Sequence, residues 1–179
     1  GNGMYGLHAR SSAVIVADNV DVRNSAGGVG VLAETDGKVY GSSANSSGNT
    51  VGFRAYFGGK IFAESANANN CDIGLELFGH SEISARNITA TNCANKGAQV
   101  STGSRLYATG GDFSGAGVNG IHAYRGCDVY LYNAKCRKGS ENSSTDIVAM
   151  SGTIVRANGA EGGFNLTPNT ITSDGIIFA

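Results

Sequence analysis

Gly52-Phe53-Arg54-Ala55-Tyr56-Phe57-Gly58-Gly59-Lys60-Ile61-Phe62-Ala63-Glu64-Ser65-Ala66-Asn67-Ala68-Asn69-Asn70 is one unit of a pattern that recurs through most of this chain. Aligned on the opening glycine, units begin at Gly6, Gly30, Gly52, Gly74, Gly97 and Gly120, with Asp146 in the glycine's place in a seventh; the spacings are 24, 22, 22, 23, 23 and 26 residues. A near-fixed period in this range is the mark of a solenoid, in which each repeat buries its apolar face against its neighbours.

Within a unit the apolar residues alternate, as they do in a strand with one buried face. One residue after the opening position stand Leu7, Val31, Phe53, Leu75, Ala98, Ile121 and Ile147; three after it stand Ala9, Ala33, Ala55, Leu77, Val100, Ala123 and Ala149. A second strand carries Ile15, Val39, Ile61, Ile83, Leu106, Val129 and Val155 at the ninth offset, followed by small residues such as Ala17, Gly41, Ala63, Ala85 and Ala108 at the eleventh. A third, weaker strand is expected at Val20, Ala44, Ala66, Ile88 and Ala134, and then Asn24, Asn70 and Asn92 should form a turn ladder, tolerating left-handed backbone and pairing their side-chain amides from coil to coil. Three short strands per coil in parallel register specify an all-β, single-stranded parallel β-helix of about seven to eight coils, right-handed by the usual rule for parallel crossovers. Ser42 to Thr50 and Lys135 to Thr145 are expected to bulge as loops. The domain reading is one β-helix over residues 1–162, with 163–179 as a capping segment in which Phe164 to Thr167 form a partial strand before Pro168.

Composition narrows the function classes. Thirteen Lys and Arg against fourteen Asp and Glu leave no basic excess for a phosphate backbone, so nucleic acid is not an expected partner. No apolar run is long enough for a membrane-spanning helix, so membrane insertion is not expected either. The four cysteines include no Cys-x-x-Cys pair, and Cys71 and Cys93 fall at the same offset in neighbouring coils, which suits buried thiols better than a disulfide or a zinc site. Nothing suggests a cofactor or a bound metal. The opening Gly-Asn-Gly-Met, already close to the first coil, is expected of a piece of a longer protein.

The glycine-led coils with alanine at the third offset, the asparagine ladder and the closing Asn169-Thr170-Ile171-Thr172-Ser173-Asp174-Gly175-Ile176-Ile177-Phe178-Ala179 resemble the receptor-binding tailspike and tail-fibre proteins of bacteriophages. The coils, over about residues 6 to 160, resemble the wider pectate-lyase-like β-helix superfamily. The resemblance implies a homotrimer at the tip of a virion tail that grips or cuts a host surface polysaccharide. A head-binding region of the kind found in full tailspikes is not recognisable.

Outward positions are the informative ones, since core alternation does not require them. One column is Val16, Tyr40, Phe62, Ser84, Tyr107, Tyr130 and Arg156; another is Arg10, Glu34, Tyr56, Phe78, Ser101, Tyr124 and Met150, and beside it run His8, Leu32, Arg54, Glu76, Gln99, His122 and Val148. Most such rings serve subunit packing or cross-strand stacking. A pyranose, however, needs an apolar face to stack on and groups that donate and accept hydrogen bonds, so Arg54, Tyr56, Glu76, Phe78, Gln99, His122 and Tyr124 are the expected substrate-binding residues. The bland alternatives are a surface ion pair for Arg54 with Glu76 and ordinary exposed side chains for His8 and His122. Glycoside hydrolysis needs two carboxyl groups at a suitable separation; Glu64 with Glu82, or Glu34 with Glu76, are conceivable, whereas Glu76 and Glu82 should diverge. The sequence singles out no catalytic residue. A secreted β-helix polysaccharide lyase or hydrolase and a purely structural fibre shaft are the competing readings, and the first aromatic column is the expected trimer seam.

Overall fold

Two strands and one bridging residue make up each of the first six coils. The computed structural model describes residues 4–25, 28–136 and 146–160, and the backbone of 171–172 and 176–178. The longer strands β1 (Tyr5–Arg10), β3 (Val29–Glu34), β5 (Val51–Tyr56), β7 (Ile73–Phe78), β9 (Lys96–Ser101), β11 (Asn119–Tyr124), β13 (Ile147–Met150) and β15 (Ile171–Thr172) form one parallel sheet in that order. The short strands β2 (Val14–Val16), β4 (Lys38–Tyr40), β6 (Lys60–Phe62), β8 (Glu82–Ser84), β10 (Arg105–Tyr107), β12 (Asp128–Tyr130), β14 (Ile154–Arg156) and β16 (Ile176–Phe178) form the second. Registers such as Phe53↔Leu75 and Ala55↔Leu77 place equivalent offsets side by side, as the repeat alignment requires. The fold is a parallel β-helix.

The expected third strand is reduced to a ladder of single bridges, Asp21↔Asn45↔Asn67↔Thr89↔Asp112↔Lys135. Sharp turns on both sides leave room for only one paired residue per coil. Asn19, Ser43, Ser65, Asn87 and Asn133 have positive φ before it, and Asn24, Asn70 and Asn92 after it. Asparagine, which fills most of these positions, is among the side chains that best tolerate left-handed backbone. The asparagine ladder is therefore present as backbone geometry, and its coil-to-coil bonds run from main chain, Asn70 N to Thr91 O at 2.9 Å and Asn92 N to Ser114 O at 2.9 Å.

Ser42 to Thr50 does not bulge. Ser46 and Asn49 are buried, Ser46 Oγ donates to Gly52 O at 2.7 Å, and the Asn49 amide donates to Val22 O and Ser46 O, so these polar side chains stand where the next coil has Ala68 and Cys71. In the second expected loop, Lys135 and Cys136 belong to the coil and residues 137–145 lie outside the described residues. The expected strand at Phe164 to Thr167 also lies outside them. Further along, β15 and β16 add a rung to each sheet, Ala149↔Ile171 and Val155↔Ile177.

The lumen is one continuous apolar cluster in which Phe53, Leu75, Ile121, Ile61, Ile83 and Leu106 have no exposed surface. Its cross-section is filled by compensation. The fifth coil has Ala98 where the third has Phe53, and Phe113, fully buried, where the third has Ala68. The glycine column exists because the bridge segment closes on the strand that opens its own coil. A Cβ on Gly52 would lie 2.6 Å from Ala68 Cβ, one on Gly74 2.6 Å from Ala90 Cβ and one on Gly97 2.8 Å from Phe113 Cβ.

Two substitutions test this packing by thermal or denaturant unfolding. Phe53→Ala is expected to cost roughly 3–5 kcal/mol through the cavity it leaves. Gly74→Ala, which adds only a methyl group, is expected to cost about 1–3 kcal/mol through overpacking, with the neighbouring coils shifted apart.

Candidate functional site

The long strands present one outward face on which the seven expected binding residues stand. Arg54 and Glu76 are register partners, as are Glu76 and Gln99, and Gln99 and His122; Tyr56 is paired with Phe78, and Ser101 with Tyr124. The two columns are therefore real and adjacent. Alternation within a strand sends their side chains outward while Phe53, Ala55, Leu75 and Leu77 point into the lumen.

On the third and fourth coils the side chains are already engaged with one another. Arg54 Nε lies 2.6 Å from Glu76 Oε2, and the two side chains keep only 26% and 12% of their surface exposed. This is a partly enclosed pair rather than a loose surface one, and its enclosure offsets part of its attraction. The Arg54 guanidinium also lies over the Tyr56 ring, 5.1 Å from the centroid. Burial, then the Glu76 charge, push the Tyr56 phenol above its ordinary range, with Arg54 opposing them. Tyr56, Phe57 and Phe78 form an edge-on cluster with centroids 5.4–5.9 Å apart. Phe57, missed from sequence, has a φ of 48° and is 57% exposed. Its position just after the strand could have been noted, but its outward display depends on that left-handed turn.

The other end of the face differs. His122 is half-buried with its ring 5.1 Å from Tyr124, and its Nδ1 has no hydrogen-bond partner among the described residues. It is not the ordinary exposed histidine of the bland reading. Burial first, and Lys96 second, hold its pKa below the usual histidine value. His8, at the opposite end, lies 3.0 Å from Glu34, which Arg10 also approaches at 3.4 Å.

Glu34 and Glu76 stand on β3 and β7 with β5 between them, Glu34 against His8 and Arg10 and Glu76 against Arg54. Glu76 and Glu82 belong to different sheets, as expected. Among the described residues, no three His, Cys, Asp or Glu side chains gather as a metal site, and no helix is long and apolar enough to cross a membrane. All four cysteines are buried and free. Cys71 and Cys93 donate to main-chain carbonyls, and burial pushes the Cys93 thiol up to about 12.

Across the short-strand sheet the other aromatic column is a stack. Tyr40 and Phe62 lie 4.7 Å apart with planes 9° from parallel, Tyr107 and Tyr130 lie 4.7 Å apart at 19°, and Arg156 covers Tyr130 at 4.9 Å. Ser84 interrupts the series.

With this geometry in hand, the comparison with known families is decisive for the coils: the profile described as a right-handed β-helix region matches residues 1–136. The chain belongs to the right-handed β-helix family. No curated protein and no solved structure matches it. Membership in the right-handed β-helix family is compatible with polysaccharide-binding and lyase-like proteins, and it assigns no residue a role.

The Tyr56 environment can be tested by NMR titration of ring-labelled tyrosine. Glu76→Gln removes a charge that opposes the phenolate but leaves the burial, so Tyr56 is expected to titrate below its wild-type value and still above an exposed tyrosine.

Proposed function

We propose that this β-helix is a receptor-binding module of the phage tailspike or tail-fibre type, which grips a host surface polysaccharide with the outward face of its long-strand sheet. The observation that carries the reading is the register of that face, where Tyr56 and Phe78 lie side by side next to the polar column Arg54, Glu76, Gln99 and His122. A polymer is a repeating ligand. A β-helix offers it repeating subsites at intervals of ~4.8 Å, close to the length of a sugar ring. Rings on Tyr56, Phe78 and Tyr124 would stack on pyranose faces while the neighbouring column exchanges hydrogen bonds with hydroxyls.

The same reading makes the working particle a homotrimer at the virion tail, acting outside the cell. The Tyr40, Phe62, Tyr107 and Tyr130 column is its seam. Stacking covers the faces of these rings but leaves their edges outward, with Tyr40 39% exposed, and a row of ring edges along one side of a rod is a surface for a neighbouring copy.

Binding is tested on a glycan array with the wild-type chain and the Tyr56→Ala and Tyr124→Ala variants. The expected outcome is retention of a bacterial surface polysaccharide by the wild type and a loss of about ten-fold or more in each variant, the size of one lost ring-stacking contact. Undiminished binding by both folded variants would move the site elsewhere, and no binding at all would favour a structural shaft.

Sedimentation tests the assembly. A trimer at micromolar concentration is expected, with Phe62→Glu and Tyr107→Glu together reducing it to monomers; a monomeric wild type would favour the secreted-enzyme reading.

A further inference from the structure

The outward face of the long-strand sheet changes its electrostatic character part-way along. On the first four coils each arginine of the face has a carboxylate beside it: Arg10 meets Glu34, which His8 also approaches, and Arg54 meets Glu76. Strands β9 and β11 break the pattern. Their accessible outward residues are Lys96, Gln99, His122 and Tyr124, with no carboxylate among them; Ser101 and Asn119 beside these are buried, and Arg125 follows at the turn. Among the described residues neither Lys96 nor Arg125 has an ion-pair partner; Arg125 lies only over the Tyr124 ring, at 5.5 Å.

His122 stands in the middle of this patch. Its enclosed Nδ1 has no partner, and an enclosed N–H without an acceptor is rarer in proteins than an enclosed acceptor short of a donor. The proton of the neutral ring therefore belongs on Nε2, the nitrogen that is not enclosed, and points a donor outward. Burial and the nearby Lys96 both keep the ring neutral, so the patch draws its charge from Lys96 and a second donor from His122. Gln99, the register partner of His122, adds an amide. The carboxylates that border the patch leave its charge in place: Glu76, beside Gln99, is held by Arg54, and Asp72 sits in the turn before Ile73, the register partner of Lys96.

We propose that Lys96, Gln99 and His122, with the Tyr124 ring beside them, form a subsite for the carboxylate of an acidic sugar. The inference rests on the glycan-binding reading and specifies the substrate class. An ammonium and two neutral donors match the acceptor sites of a carboxylate, and the charged contact is the strongest of the three. The ring of Tyr124 takes the apolar face of the pyranose. Anchoring at the fifth and sixth coils would fix the register of the polymer along the rod and leave Tyr56 and Phe78 to meet a neutral residue.

The test uses an array of uronate-containing oligosaccharides, each paired with its carboxyl-reduced form, followed by calorimetry on the members that bind. The acidic form is expected to bind about ten-fold or more tightly than its reduced partner at low salt, and Lys96→Met to remove most of that ratio. His122→Gln should reduce it less, because the amide still donates. Tyr56→Ala should weaken both forms together and leave the ratio unchanged, a split that general loss of fold would not produce. Equal binding of the two forms, or an acid preference that Lys96→Met leaves intact, overturns the subsite while the glycan-binding face stands. Binding of neither form of any member, with neutral polysaccharides bound, also overturns it; no glycan bound at all overturns both.

Discussion

Each coil has to bring its bridge segment against the strand that opened it, and the space left there is less than one methyl group deep. Ala68, Ala90 and Phe113 approach Gly52, Gly74 and Gly97 so closely that any side chain at the glycine would overlap the Cβ opposite. Protein interiors tolerate little overlap, so the glycine is required by packing. Once the corner is closed, the lumen's width is set, and with it the need for small residues such as Ala55, Ala63 and Ala85 beside larger chains such as Phe53, Ile61 and Ile83. The exchange of Phe53 and Ala68 in one coil for Ala98 and Phe113 in another keeps the filling constant while the sequence drifts.

A rigid lumen frees the outer surface. Every outward residue is delivered at a fixed interval and in register with its equivalents above and below, so a column can become a π-stack, a row of ion pairs or a line of binding groups without any change in the backbone. The short-strand sheet uses its column for stacking, Tyr40 on Phe62 and Tyr107 on Tyr130. The long-strand sheet divides its own face. Arg54 and Glu76 largely satisfy each other, whereas Lys96 and His122 remain open to something from outside. Groups that are already paired contribute less to a ligand, because their bonds must be exchanged rather than gained.

The corners add a second kind of information. Left-handed turns at Asn70, Asn92 and their equivalents are inexpensive because asparagine tolerates that backbone, but the same conformation at Phe57 is uncommon for a bulky residue. It turns an aromatic ring outward next to Tyr56 and Phe78. Backbone strain and display of a ring thus coincide at the edge of the proposed binding face, where a broader aromatic platform serves a sugar ring.

By itself the sequence determined the coil, its period, the inward columns and the two outward columns, because a repeat with strand alternation leaves one consistent assignment of faces: Phe53, Leu75 and Ile121 could only share a column if Arg54, Glu76 and His122 shared another. It overstated the third strand and misread Ser42 to Thr50 as a loop, since polar residues there signal exposure in general and the burial of Ser46 and Asn49 depends on hydrogen bonds across coils. What only the tertiary structure decided is which side chains on a face are spent on one another. Lys96 was not singled out from sequence, and the ion pair of Arg54 with Glu76 stood there only as an alternative to sugar binding. Side-chain reach, enclosure and partner geometry separate them, and these are properties of atoms a few ångströms apart that a repeat pattern, which fixes only backbone positions, does not specify.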